Sequence, residues 1–384
     1  MQGRKQTFAN LAALKDSENT IWFHAASLGE FEQGRPVIES FKEKYPNYKI
    51  VLSFFSPSGY EVRKEYELAD VVCYLPLDTE NNVQRFLDLV NPKMAVFIKY
   101  EFWPNFLLGL KKRNIPTILI SGIFRKNQIF FKYYGGFMRG ALKTFDYFFL
   151  QDDSSNELLK KLKLNNISVS GDTRFDRVHA ILKQDNHLDF ITEFQDQQYT
   201  IVAGSTWKED EEFLVDYINN DALPNTKFII APHNIVTKDV ENLQKAIQKS
   251  TVLYSSKAGK NLSEFQVLIV DHIGLLTKIY SVANIAYVGG GLGKGGVHNI
   301  LEPATFGIPI VIGPVYEKYK EVVDLVALKS CLVVSDQETF STTFTLLQKD
   351  EFYRTQLGKI NQEFIQNNVG ATKMIMNYIQ KKLD

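Results

Sequence analysis

Two carboxylates follow short apolar runs in this sequence. One is Glu30, in His24-Ala25-Ala26-Ser27-Leu28-Gly29-Glu30-Phe31; the other is Glu101, in Ile98-Lys99-Tyr100-Glu101-Phe102-Trp103-Pro104. An acid placed just past a buried strand stands at the edge where parallel sheets bind ligands, and an ionised carboxylate there can take a proton from an alcohol. His24 is a third basic group at the same strand end, though a histidine packed at a strand terminus accounts for it more economically. For Glu30, residue chemistry alone leaves the general base and a plain structural acid equally open; Glu101 is either a helix-start acid or a second site carboxylate.

A second kind of chemistry is written in glycine. After the apolar run ending at Val288 come Gly289-Gly290-Gly291-Leu292-Gly293-Lys294-Gly295-Gly296-Val297-His298-Asn299, then Glu302 and Pro303. Glycines after a buried strand let backbone N–H groups approach a phosphate, and a helix starting near His298 or Asn299 would turn its positive end to the same anion. The segment reads as a phosphate cradle, with Glu302 accepting from ribose hydroxyls; the plainer reading is a flexible loop with an acid favouring a helix start. No Gly-Lys-Ser/Thr follows, so it is no Walker loop, and no spaced ribose acid follows, so it is no dinucleotide fingerprint. Gly204-Ser205-Thr206 precedes the acidic run Glu209 to Glu212. Ser205 and Thr206 are expected to cap a helix and to donate to phosphate, and the acids to form a solvated first turn. The pair Asp152-Asp153, followed by Ser154 and Ser155, is a helix cap in preference to a metal site.

Lys+Arg and Asp+Glu both total 44 in 384 residues, so no bulk attraction to nucleic acid follows. The charge is local: from Phe102 to Phe145 there is no acid, while Arg125, Lys126 and Lys132 interleave with Phe124, Phe130, Tyr133, Tyr134 and Phe137. That mixture suits an interfacial segment on an anionic membrane, a basic face over a core, or single-stranded nucleic acid, the last disfavoured by the neutral total. The two cysteines lie far apart in apolar runs, which excludes a disulfide framework and points to a cytoplasmic chain. No apolar stretch is long enough to span a bilayer, and the polar start is no signal peptide.

Fourteen apolar runs, seven from Ile21 to Val169 and seven from Thr200 to Val334, alternate with amphipathic stretches, the pattern of parallel α/β sheets. Two doubly wound αβα domains facing each other across a cleft explain it most simply. The polar stretch 185–198 is the expected linker, giving domains 1–190 and 191–384, with the long last helical stretch, about 352–382, able to pack back on the first.

At these residues the chain resembles the Kdo transferases, which move 3-deoxy-D-manno-octulosonic acid (Kdo) from CMP-Kdo to a lipid A precursor. The matching stretches are HAASLGEFEQGRP, FSPSGYE, YLPLD, EFWPNFL, SGIFRK, SGDTRFD, AGSTWKEDEE and GGGLGKGGVHNILEPATFGIPIVIGP, in order over most of the chain. The resemblance implies a GT-B glycosyltransferase of lipopolysaccharide biosynthesis, with two Rossmann-like domains, the first for the acceptor and the second for the donor. It implies inversion, no cofactor and no catalytic metal. It places the base on Glu30 and a second carboxylate on Glu101. The donor would be held by Gly204, Ser205, Thr206, His298, Asn299 and Glu302, with Arg174 where the family carries Lys. A valine, Val297, interrupts the family's Gly-Gly-His-Asn. The basic segment with Arg125, Lys126 and Lys132 is expected to meet acceptor phosphates and the cytoplasmic face of the inner membrane. The family's apolar anchor is expected to be absent ahead of the basic start, leaving a trimmed form or docking through the patch alone. Rival readings are a UDP-sugar transferase or 2-epimerase on a related fold, and a non-catalytic lipid- or nucleotide-binding module.

Overall fold

Short runs of Val, Ile and Phe flanked by amphipathic helices become parallel strands because such strands are buried on both faces. The computed structural model describes residues 2–14 and 17–384. In the first domain the strands are β1 (Thr20–Ala25), β2 (Lys49–Phe54), β3 (Val71–Tyr74), β4 (Met94–Ile98), β5 (Thr117–Gly122), β6 (Tyr147–Leu150) and β7 (Ile167–Val169), in the spatial order β3-β2-β1-β4-β5-β6-β7. In the second they are β8 (Tyr199–Thr206), β9 (Thr226–Pro232), β10 (Thr251–Leu253), β11 (Val267–Ile269), β12 (Ile285–Val288), β13 (Ile310–Ile312) and β14 (Cys331–Val333), in the order β10-β11-β9-β8-β12-β13-β14. Every pairing among them is parallel. The strand order reverses direction between β1 and β4 and again between β8 and β12, which are the switch points where such sheets bind ligands.

Alternation along each central strand divides the core into two layers. In β1, Trp22 packs with Phe86, Phe97 and Phe106 on one face, while Phe23 packs with Phe41 and Phe54 on the other. In β8, Ile201 and Ala203 join Tyr217 and Phe340, while Val202 joins Ile191 and Phe194.

The chain passes from the first domain to the second at Arg177–Val178 and returns at Asn367–Asn368, which corrects the expected split at residue 190. The polar stretch 185–198 is no linker, because its helix Asp189–Gln195 buries Ile191 and Phe194 in the second domain's core. The long last helix is two, Glu351–Asn368 and Ala371–Leu383, interrupted at Gly370 with φ +120°. The second of them inserts Ile375, Met376 and Ile379 into the first domain's core. Asp176 pins its start by accepting from Gly370 N at 2.6 Å, Thr372 N at 2.7 Å and Thr372 Oγ1 at 2.8 Å. No helix of the described residues is long and apolar enough to cross a membrane.

Charge-assisted bonds of this kind are individually worth about 1.5–3 kcal/mol. Asp176→Ala should therefore destabilise the first domain by about 2 kcal/mol or more, read as a lower midpoint in urea unfolding; an unshifted midpoint would contradict the anchoring role.

Candidate functional site

Register brings the first cluster together. His24 lies opposite Ser53 in the β1–β2 pairing, and its Nδ1 meets Ser53 Oγ at 2.8 Å while Trp22 Nε1 donates to the same oxygen at 2.8 Å. On the other side His24 Nε2 is 2.9 Å from Glu101 Oε2, which also accepts from Trp103 Nε1 at 2.7 Å. His24 is fully buried and touches no surface, so its role is to aim Glu101, whose side chain keeps 11% exposure. The Glu101 loop is set from below by Asp78, the aspartate of YLPLD, which accepts from Asn105 N at 3.1 Å and Phe106 N at 3.0 Å and so caps the helix Pro104–Lys112.

Glu30 sits in the first turn of the helix Leu28–Lys44, directly beyond β1. Ser27 Oγ donates to its Oε2, and Lys99 Nζ, from the end of β4, stands 3.7 Å from its Oε1. At 13% side-chain exposure the carboxylate is fixed on two sides and still open. Lys99 adopts φ +69°, a left-handed turn that a non-glycine residue takes at a cost and that tips its ammonium back over the β1 end.

In the second domain the register of β8 against β9 shifts between Gly204 and Thr206 around Ser205, a left-handed bulge with φ +54°. Trp207, the residue beyond, begins the helix Lys208–Asn220 and lends it no side-chain cap, nor does Ser205 or Thr206, contrary to expectation. Thr206 Oγ1 instead donates to Glu211 Oε1 at 3.0 Å, and burial holds that carboxyl above the usual carboxylate range. The unexpected organiser is Asp210, fully buried within a run read as solvated acids. It accepts from Trp207 N at 2.8 Å, Gly290 N at 2.8 Å and Tyr287 Oη at 2.6 Å, tying the β8 turn to the glycine loop. Burial and the Asp210 carboxylate push the Tyr287 phenol well above its ordinary range.

The loop itself passes backbone to backbone against the turn after β13: a Cβ on Gly313 would fall 2.2 Å from the carbonyl carbon of Gly291. The amides of Gly289, Gly290, Val297 and His298 bond within the protein, which confines any phosphate cradle to the exposed middle of the loop and the groups around it. The helix that follows begins at Leu301, later than expected, because Asn299 Oδ1 accepts from Leu301 N at 3.1 Å. Asn299 Nδ2 donates to Glu302 Oε1 at 3.1 Å and Thr277 Oγ1 to Glu302 Oε2 at 2.7 Å. His298 Nε2 lies 2.8 Å from Trp207 Nε1, and burial, then His233, lowers its pKa to about 4.

The residues singled out in the sequence thus form two groups. Glu30, Glu101 and His24 meet at the β1/β4 switch point; Gly204, Ser205, Thr206, His298, Asn299 and Glu302 gather at the β8/β12 switch point. Arg174 belongs to the first domain, where its backbone N, Nε and Nη2 all engage Asp172. Asp152 caps the helix Asp153–Lys161 through Ser155 N at 2.7 Å. Arg125 and Lys126 are exposed, Lys132 is half-buried, and beside them Tyr133, Tyr134 and Phe137 are 93%, 63% and 65% exposed. The guanidinium of Arg125 lies 6.0 Å from the Tyr100 ring, which joins this patch to the Glu101 loop. The sequence suggests only a solvated acid at Asp210 and assigns no role to Asp78 or His233; for Asp210 the available signal is its place three residues past Trp207, where an acid can reach back to the helix start.

Residues 2–177 match the family model described as 3-deoxy-D-manno-octulosonic-acid transferase (kdotransferase). The 3-deoxy-D-manno-octulosonic acid transferase of Aquifex aeolicus is 29% identical over 314 residues, covering 80% of each chain. That of Haemophilus influenzae is 28% identical over 378 residues, covering 95% of this chain and 87% of the other. Among solved structures, UDP-GlcNAc 2-epimerase from Neisseria meningitidis superposes with a TM-score of 0.62 at 16% identity, over 94% of this chain and 100% of that one, a likeness of fold alone.

Because the pKa of His298 falls from 6.5 to about 4 on folding, the unfolded chain binds more protons between those values. The stability linked to this ring is complete above pH 6.5 and is lost as the pH drops toward 4. The melting temperature should fall more steeply over that window in the parent than in His298→Asn; parallel slopes would contradict it.

Proposed function

We propose, from the premise that this chain is a relative of the Kdo transferases, that it moves Kdo from CMP-Kdo to a hydroxyl of a phosphorylated lipid A precursor. The chain is a glycosyltransferase of the GT-B fold. The observation that carries the assignment of roles is the Glu30 carboxylate, held at the β1/β4 switch point by Ser27 and Lys99 with one edge open. Glu30 removes the proton of the acceptor hydroxyl as that oxygen attacks the anomeric carbon of Kdo. The bond from that carbon to the CMP phosphate oxygen breaks on the opposite face, CMP leaves with the electron pair, and the configuration inverts. Glu101, aimed by His24 and Trp103, accepts hydrogen bonds from the acceptor sugar and fixes which hydroxyl is presented.

Donor binding is assigned to Gly204, Ser205, Thr206, His298, Asn299 and Glu302. Glu302, oriented by Asn299 and Thr277, faces ribose hydroxyls, and the N–H groups of the loop between Gly291 and Gly296 meet the phosphate, which therefore needs no divalent metal. Arg174 keeps the basic donor contact that the resemblance implies, its guanidinium held in one orientation by Asp172. The acceptor's phosphates and the anionic inner-membrane surface are met by Arg125, Lys126 and Lys132, with Tyr133, Tyr134 and Phe137 entering the headgroup layer. This puts the enzyme at the cytoplasmic face of that membrane.

Glu30→Gln should cut transfer by at least about a hundredfold, the usual worth of a general base, while CMP still raises the melting temperature as in the parent. Transfer at close to the parental rate would remove Glu30 from the mechanism. Replacing Arg125, Lys126 and Lys132 together by Gln should weaken sedimentation with anionic vesicles about a hundredfold at low salt, at about 1 kcal/mol per basic residue, and less at high salt. Unchanged sedimentation would rule out the patch as the docking surface.

A further inference from the structure

Three rings meet beside the β8/β12 switch point, and only one of them entered the functional reading. Trp207 and His298 are nearly coplanar, 5° apart, with indole Nε1 2.8 Å from imidazole Nε2. His233, at the end of β9, lies across both: its ring centroid is 4.8 Å from Trp207 at 20° and 4.3 Å from His298 at 23°. Its backbone N donates to Thr206 O at 2.9 Å, so the covering ring is tied to the same turn as Trp207. On its other flank His298 is backed by the glycine loop, where a Cβ on Gly290 would come within 2.9 Å of His298 Cδ2.

An indole N–H only donates, so the imidazole nitrogen it points at must be bare. An imidazole with Nε2 bare is neutral and carries its single proton on Nδ1. The coplanar arrangement puts the indole N–H along the in-plane lone pair of Nε2, the direction in which this bond is strongest. Turning either ring out of that plane would break both the bond and the stack with His233.

We infer that Trp207 and His233 are positioning residues that fix His298 as its Nδ1–H tautomer, Trp207 by donating to Nε2 and His233 by holding the two rings in one plane. Resting on the placement of His298 in the donor site, this makes His298 a neutral, one-proton donor to the donor's phosphoryl oxygen instead of a cationic counter-charge. The depressed basicity of the ring agrees with the same arrangement.

The test uses the full chain labelled with ¹⁵N-histidine, the His298 signals being assigned by their loss in His298→Asn. In the parent, long-range ¹H–¹⁵N correlations at neutral pH should give the Nδ1–H pattern. Trp207→Phe keeps a ring for His233 but removes the donated proton. It should shift His298 toward the Nε2–H form and weaken binding of CMP about 2- to 10-fold, the range for one lost hydrogen bond. His233→Ala should give mixed tautomers, whereas His233→Phe, which keeps a flat ring, should retain the parental pattern; this pair serves if Trp207→Phe fails to fold. A purely structural role would alter melting temperature without altering the tautomer. A parental Nδ1–H pattern in folded Trp207→Phe or His233→Ala would overturn the inference. A changed tautomer with unchanged CMP affinity would uphold it and overturn the placement of His298 against the donor.

Discussion

The function of this chain depends on a property of parallel sheets: where the strand order reverses, the loops leaving two adjacent strands turn to opposite faces and leave a crevice that nothing in the sheet fills. Each domain has one such point, at β1/β4 and at β8/β12. The first receives Glu30 from one strand end and Lys99 with Glu101 from the other. The second receives Ser205 to Trp207 from one strand end and the glycine loop from the other. The left-handed backbone at Lys99 and Ser205 falls at these two places, where the chain must leave its strand abruptly to line a crevice instead of crossing it.

Residues that meet no ligand in this account do much of the positioning. Asp210 is a fully buried carboxylate, an arrangement that is costly unless every oxygen is satisfied, and three donors from three segments satisfy it. One buried carboxylate therefore joins the β8 turn to the glycine loop. Asp78 does the same in the first domain, capping the helix that follows Glu101 and Trp103, while the buried relay from Trp22 through Ser53 and His24 reaches Glu101 from the sheet side. The stretches that resemble the Kdo transferases therefore include scaffolding: YLPLD supplies a cap, and AGSTWKEDEE supplies the buried carboxylate that joins turn to loop.

Strand positions were legible because β-branched runs between helical stretches leave little ambiguity, and all fourteen runs became strands. Polarity alone suggests a linker at 185–198; the Asp189–Gln195 helix shows three apolar residues among polar ones, and only tertiary packing reveals that Ile191 and Phe194 are core. The acidic run after Trp207 was misread for a related reason. One of its carboxylates points inward, and nothing in composition distinguishes Asp210 from Glu209 or Glu212. The two carboxylates beyond β1 and β4 were legible, since strand, turn and acid are contiguous in sequence; the ring cluster was not, because Trp207 and His233 follow two different strands and His298 lies beyond the glycine loop, far apart in the chain.

The most direct test is turnover by the purified chain given CMP-Kdo and a phosphorylated lipid A precursor in vesicles, with a chelator present, following CMP release and the mass of the lipid. Kdo transfer by this chain requires CMP release that depends on the lipid and matches, mole for mole, the Kdo gained by it. Hydrolysis of CMP-Kdo without lipid modification, or turnover of a UDP-sugar where CMP-Kdo is inert, would contradict it.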